Sequence, residues 1–292
     1  MTRDKNIYTN FFGIKSTGRS FIKMHGLENH FVIFDGRDVP FLPKNSEISR
    51  ICNPKTGIGA DQLIILNEPS IDGLKVGAKV FMRLLNIDGR EVEACGNATR
   101  CVASLLMENE TLATVKIETL AGVLECHKLK DSRVQCNMGI ASLDPRKIPL
   151  SMDIDTLNVK LESGPLSRPV ISNIGNPHAT FFVDSIEGIN IEKWAPAVQK
   201  NSLFPEQVNV GVAEIMDQQT LKLEVYERGA GLTSACGSGA CAAVYAANKR
   251  KLDVSNKMQV IMPAGYVDIE LLDDDSLIMS GPVAYVYSGL LS

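Results

Sequence analysis

Apolar and β-branched residues gather into short runs broken by Gly, Asp and Asn along most of the chain. In the first half, 30–36 (HFVIFDG), 62–66 (QLIIL), 79–86 (KVFMRLLN) and 115–129 (VKIETLAGVLECHKL) read as strand stretches. The second half offers 178–184 (HATFFVD), 208–217 (VNVGVAEIMD), 221–229 (LKLEVYERG), 258–263 (MQVIMP) and 266–272 (YVDIELL). Helical period takes over in two places. Ala98, Cys101, Val102, Leu105 and Leu106 share one helical face. The stretch 239–250 (GACAAVYAANKR) is apolar almost all round, as in a helix buried on every side. A sheet curled round a central helix would bury it so.

Both helical stretches begin in the same phrase, ACGNATRC at 94–101 and ACGSGACA at 235–242. The match extends upstream. The segment GLENHFVIFD (26–35) parallels NIGNPHATFFVD (173–184), and GADQLIIL (59–66) parallels NVGVAEIM (209–216). Asn, strand, Gly-containing strand, then cysteine at a helix start recur in that order. Similarity over such a length marks a duplicated domain, because repeat arrays use far shorter units. The expected fold is therefore α+β, with two pseudo-symmetric domains, each a curled mixed sheet round a central helix. The pattern lapses and prolines collect between Asn137 and Pro149. This places one half at 19–137, joined by a returning strand at 281–292, and the other at 138–280, with an active site in the cleft between them. Residues 1–18 are polar and without period, which reads as a flexible extension; a transit peptide is the competing reading.

Bulk properties narrow the function. The 292 residues are 45% hydrophobic and 22% charged, an ordinary globular composition. A net charge of −4 argues against nucleic acid as the main partner. No apolar run approaches the roughly 20 residues that span a membrane. Seven scattered cysteines in a chain of this size read as free thiols in a reducing, cytoplasmic setting. No lysine motif for a Schiff base and no metal-ligand spacing stands out, so neither cofactor nor metal is expected.

A cysteine at a helix start has its pKa drawn below the free value of about 8.5. The unpaired N–H groups there make a site for an anion. Asn97 and Ser238 suit capping, and Gly96 and Gly237 admit a close ligand. Cys52, Cys101, Cys126, Cys136 and Cys241 read as core. For Cys95 and Cys236 the matched context favours chemistry. Two thiols facing each other across a cleft suit removal of a proton from one face of a carbon and delivery to the other. One must begin as thiolate and the other as thiol, and helix N-termini supply electrostatic help to the carbanionic transition state.

These motifs resemble the diaminopimelate epimerase family, from about Phe21 to the C-terminus. KMHGLENHF (23–31), TGIGADQ (56–62), NIDGREVEACGNATRC (86–101), GNPH (175–178), ERGAG (227–231) and ACGSGACA (235–242) carry the resemblance. It implies a cofactor-independent isomerase interconverting LL- and meso-diaminopimelate in lysine and peptidoglycan biosynthesis, acting as a homodimer. Cys95 and Cys236 become the acid/base pair. Gly96, Asn97, Gly237 and Ser238 become the cradle of the reacting α-carboxylate. By motif, Asn29, Gln62, Asn86, Asn176, Asn209, Glu227 and Arg228 become substrate contacts. Arg228 is the clamp for the distal carboxylate, through its bidentate fork. His178 and Glu227 stand where they can tune a thiol. The family's glycine and acid are replaced here by Glu28 and His30, and a left-handed backbone at Glu28 would strain the loop presenting Asn29.

Three other readings stay open at this point. One is another amino-acid racemase on the same scaffold. The second is a cysteine hydrolase with His178 as base, which leaves the second cysteine without a role. The third is a redox sensor in which Cys95 and Cys236 form a disulfide.

Overall fold

The structure is a computed structural model and describes residues 18–93 and 95–291. The extension expected over 1–18 lies outside the described residues, Gly18 apart. The chain opens with an antiparallel hairpin of β1 (Arg19–Gly26) and β2 (Asn29–Asp35). After α1 (Asn45–Cys52) comes β3 (Gln62–Asn67), parallel to β2. The short α2 (Ile71–Lys75) leads to β4 (Val80–Asn86), antiparallel to β3, and to β5 (Glu91–Val92). Then α3 (Gly96–Glu110) crosses to β6 (Thr114–Thr119), parallel to β4. A meander through β7 (Gly122–Lys128) and β8 (Val134–Ile140) follows. The stretch 115–129, continuous in its apolar pattern, is thus two strands. Leu120 and Ala121 turn the chain, and Gly122 takes φ +124° just after them, a value open mainly to glycine.

A two-stranded ribbon, β9 (Glu162–Ser163) and β10 (Leu166–Ser167), precedes a second run of the same order. Antiparallel β11 (Val170–Asn173) and β12 (Pro177–Val183) are followed by α4 (Ile191–Gln199) and by β13 (Asn209–Asp217), parallel to β12. Antiparallel β14 (Thr220–Glu227) carries the short β15 (Gly231–Thr233) on its edge. Then α5 (Gly237–Lys249) crosses to β16 (Lys257–Met262), parallel to β14, and β17 (Gly265–Leu271) and β18 (Ser276–Gly281) complete the meander. Every parallel and antiparallel pairing of the first run recurs in the second. The fold is α+β and internally duplicated.

Two pairings join the runs. β8 pairs antiparallel with β18, and β19 (Ala284–Leu291) returns to pair antiparallel with β1. Each run curls round its helix. On α3, Gly96 to Ser104, Leu106 and Met107 are all buried, packed against Phe31, Ile64, Val80 and Ile117. On α5 burial is nearly continuous from Gly237 to Ala247, against Leu223, Val225, Val260 and Val267. The Gly and Ala of α5 make a thin helix that a curled sheet can enclose on all sides. Each large side chain buried this way contributes about 1.5–3 kcal/mol. Separate clusters lie under α1 and α4. No helix among the described residues is long and apolar enough to cross a membrane.

Candidate active site

Both central helices begin on a cysteine. Cys95 (φ −146°, ψ 118°) and Cys236 (φ −129°, ψ 107°) are N-cap residues with extended backbones. Their carbonyls accept the first helical bonds, from the Thr99 and Ala240 N–H groups, each at 2.9 Å. The amides of residues 96–98 and 237–239 therefore lack partners within their own helices. Asn97 and Ser238, which suit capping by residue type, stand inside the first turn instead and turn their side chains to neighbours. The two helix starts meet at Met279 of β18. A Cβ added at Gly96 would collide with its Cε, and one at Gly237 would lie 3.0 Å from its Sδ. Glycine at both positions is what lets one methionine seat the two N-termini together.

Strand register brings up the rest. Gln62 faces Phe31 across β2–β3 and Asn86 across β3–β4, and its Nε2 donates to Asn86 Oδ1 at 2.8 Å. In the second run His178 faces Asn209, while the next residue, Val210, faces Tyr226 beside Glu227. Asn29/Asn176, Gln62/Asn209, Asn86/Glu227, Cys95/Cys236 and Asn97/Ser238 thus occupy matching places. Near Cys95 the thiol approaches Asn29 Oδ1 at 3.8 Å, and Asn97 Nδ2 donates to the same oxygen at 3.3 Å. Asn29 Nδ2 donates to Asp61 Oδ2 at 3.3 Å, and the His30 amide to that oxygen at 2.7 Å. Leu27 (φ 52°) and Glu28 (φ 61°) are both left-handed, so the tight hairpin presenting Asn29 is made by two residues that favour this region poorly.

Near Cys236 the thiol lies 3.6 Å from Ser238 Oγ, which sits 3.1 Å from His178 Nε2 and 3.4 Å from Asn176 Nδ2. His178 reaches Cys236 only through that hydroxyl; its Nε2 also meets Asn176 Oδ1 at 2.9 Å. Asn209 is buried and braces the loop, donating to Pro177 O at 3.1 Å and accepting the Arg228 amide at 2.8 Å. Glu227 accepts from Thr233 Oγ1 at 2.6 Å. The Arg228 guanidinium is exposed and donates to Glu206 O at 3.1 Å, outside the cluster.

This geometry can be set beside known proteins. The diaminopimelate epimerase family model matches residues 21–143 and again 170–286, once in each run. The diaminopimelate epimerase of Rhodospirillum centenum is 42% identical over 94% of this chain and 92% of its own length. That of Acidiphilium cryptum is 41% identical over 94% and 97%. The chain belongs to the diaminopimelate epimerase family. Two solved structures share the fold at low identity. A hydroxyproline epimerase from Agrobacterium vitis, solved with trans-4-hydroxy-L-proline, gives a TM-score of 0.65 at 14% identity over 93% of this chain and 91% of that one. A phenazine biosynthesis protein from Bacillus anthracis gives 0.64 at 15% over 95% and 100%.

Charge within this family member's site is uneven. The lowering expected of a cysteine at a helix start is overridden: burial pushes the thiols of both Cys95 and Cys236 up, Cys236 strongly, and Glu227 adds to the rise at each. At Cys95 the backbone amides of Ala98 and Asn97 and the Arg100 guanidinium oppose it. At Cys236 the Ser238 hydroxyl and the Gly239 amide do so. A carboxylate set against these first turns would meet the favourable end of both helices. Burial, then the neighbouring Arg228, lowers His178 to about 3, so its imidazole is neutral. Burial raises Glu227, against the hydrogen bond from Thr233. All seven cysteines carry free thiols, and the five read as core are buried. Arg100, Thr233 and Met279 join the site without belonging to any of its sequence motifs as catalytic or contact residues. Arg100 carries one signal in the sequence, a charge on the otherwise uncharged first turns of α3.

Proposed function

We propose that the chain is a cofactor-independent diaminopimelate epimerase, interconverting the LL and meso forms with Cys95 and Cys236 as a thiolate–thiol pair. The observation that carries this reading is the pair of cysteines capping two helices whose N-termini meet at Met279, with Glu227 acting on both thiols. The thiolate takes the α-proton from one face; the C–H electron pair moves toward the α-carboxylate. The opposite thiol then delivers its proton to the other face, so thiol and thiolate exchange roles each turnover. Amides of Gly96, Asn97, Gly237 and Ser238 receive the α-carboxylate and take up its growing charge. Asn29, Gln62, Asn86, Asn176 and Asn209 hold the distal centre with neutral amides, Glu227 takes an ammonium, and Arg228 swings from Glu206 to the distal carboxylate.

The same proposal divides the chain into 19–137 with 281–292, and 138–280, the site lying between them. It places the enzyme in the cytoplasm, where seven free thiols stay reduced. It also makes it a homodimer, with the exposed Tyr285, Val286 and Tyr287 of β19 as an apolar face to cover. Sedimentation equilibrium of the full chain reads the dimer directly. The function is tested by incubating reduced protein with LL-diaminopimelate in deuterated water. Deuterium at the α-carbon and formation of the meso epimer are expected. Exchange into a different amino acid only would move the substrate, and no exchange into any would remove the enzyme reading.

A further inference from the structure

Arg100 is fully buried and has no part in the chemistry above. Its Nη2 donates to Asn97 Oδ1 at 2.7 Å and its Nη1 to Met279 Sδ at 3.3 Å, while Nε is buried without a partner. No ion pair among the described residues includes it. A buried guanidinium without a carboxylate is costly, because desolvation goes uncompensated. This one also lies beside two helix N-termini that carry partial charge of its own sign. The cluster is short of one negative charge, and the Cys95 thiol, on which the guanidinium acts, or a bound carboxylate could supply it.

Duplication supplies the comparison. Five positions after Cys95 stands Arg100; five after Cys236 stands Cys241, a buried neutral thiol. Where β4 ends on Asn86, β14 ends on Glu227. The first half thus sets a cation and amides round its thiol, and the second sets a carboxylate round its own. We propose that Arg100 is a positioning residue that holds the resting negative charge of the thiol pair on Cys95, leaving Cys236 as the protonated partner. This rests on the two-thiol reading given above. A guanidinium only donates, so Arg100 also fixes the Asn97 amide with its oxygen inward and its Nδ2 toward Asn29. The charged groups acting on Cys95 are Glu227 from β14 and, opposing it, Arg100 from α3, with the Cys101 thiol nearby; Cys236 has Glu227 and, through Ser238, neutral His178, while Arg100 also bears on the buried thiols of Cys101, Cys126 and Cys241.

The test follows alkylation of Cys95 by iodoacetamide across pH in the reduced full chain, read by peptide mass spectrometry. Arg100→Gln removes the charge, Arg100→Lys keeps it, and Arg100→Met is a neutral variant of similar length should the glutamine form not fold. In Arg100→Gln the pH midpoint at Cys95 should climb by about one unit or more, as expected for loss of a close opposite charge. Arg100→Lys should stay near wild type. Epimerisation at pH 7 should fall about tenfold in Arg100→Gln, the loss of thiolate that one unit implies. An unchanged Cys95 midpoint in both neutral variants, or alkylation of Cys236 at lower pH than Cys95 in wild type, overturns the proposal. A merely structural arginine would lower the urea midpoint and leave the alkylation midpoint in place. Alkylation needs no turnover, so a midpoint that shifts in Arg100→Gln as described, in a protein whose wild type exchanges no amino acid, would fail the enzyme reading alone.

Discussion

The two halves share a topology and part company in charge. Near Cys95 stand Asn29 and Asn97, with Arg100 bonded to Asn97 and the Gln62–Asn86 pair in the same half. Round Cys236 stand Ser238, neutral His178 and the carboxylate of Glu227. Strand order, register and helix start are common to both, so the common part is the scaffold that brings a thiol and free amides to a point. What differs sits at single positions within that scaffold. Duplication alone would give two thiols of equal acidity, which suits a carbon attacked from both faces but assigns no resting proton. The substitutions at matched sites break that tie without disturbing the fold.

The largest effect should come from removing either thiol. Cys95→Ala and Cys236→Ala are each expected to slow inversion by about 10²–10⁴-fold or more, since each face loses its acid/base group. Circular dichroism should stay unchanged, because alanine fits an extended cap. Near wild-type turnover in either variant would break the equivalence of the halves. Arg228 comes next, as a charge the first half lacks at the matching place, Ile87. Arg228→Leu should raise KM for diaminopimelate about 10–100-fold through loss of a bidentate carboxylate partner. Its Tm should hold, since the side chain is exposed and bonded only to Glu206 O. Full activity with an unchanged KM would remove it as the distal clamp.

Much of the scaffold is legible in the sequence itself. The repeated phrase locates both helix starts, because glycine beside cysteine has few structural uses twice over at matched places. All-round apolarity locates α5 as a helix inside a sheet. Strand alternation locates most of the sheet, although it merges β6 with β7, since the apolar pattern runs through the turn at Leu120 and Ala121. The hub is not legible. Met279 meets α3 and α5 from a distant strand, and no local pattern marks a methionine that two glycines are shaped to receive. Arg100 looks like one more charge on a helix; only its burial and its missing carboxylate give it meaning. That His178 reaches its thiol through Ser238 also depends on tertiary placement.

His178 belongs to the second half alone, since its first-half counterpart in register is Phe31. Its pKa of about 3 in the fold lies below the ordinary value of 6.5. The unfolded chain therefore binds a proton that the folded one does not, between about pH 6.5 and 3. The resulting stability is complete above pH 6.5 and is lost as pH falls through that window. At pH 4.5 the loss amounts to about 2–3 kcal/mol. Urea unfolding of wild type and His178→Asn at pH 7 and 4.5 measures it: the variant should lose correspondingly less on acidification. Equal losses would mean that the imidazole protonates in the folded site.

The smallest expected effect lies in the loop on the first half's side. Leu27 and Glu28 both take left-handed φ to close β1 onto β2, where glycine would do so freely. In the second half the corresponding turn before Asn176 has Gly175 at φ +84°. The left-handed region costs a residue with a Cβ about 1–2 kcal/mol. Part of that returns as unfolded-state entropy when glycine is introduced. Glu28→Gly should therefore stabilise the protein by about 1 kcal/mol or less, read as a higher urea midpoint with unchanged slope. Its turnover should stay close to wild type, because Asn29 is held independently by Asp61 and Asn97. A stabilised variant that loses activity would show that strain in this hairpin is part of how Asn29 is presented. The two halves would then differ in backbone as well as in charge.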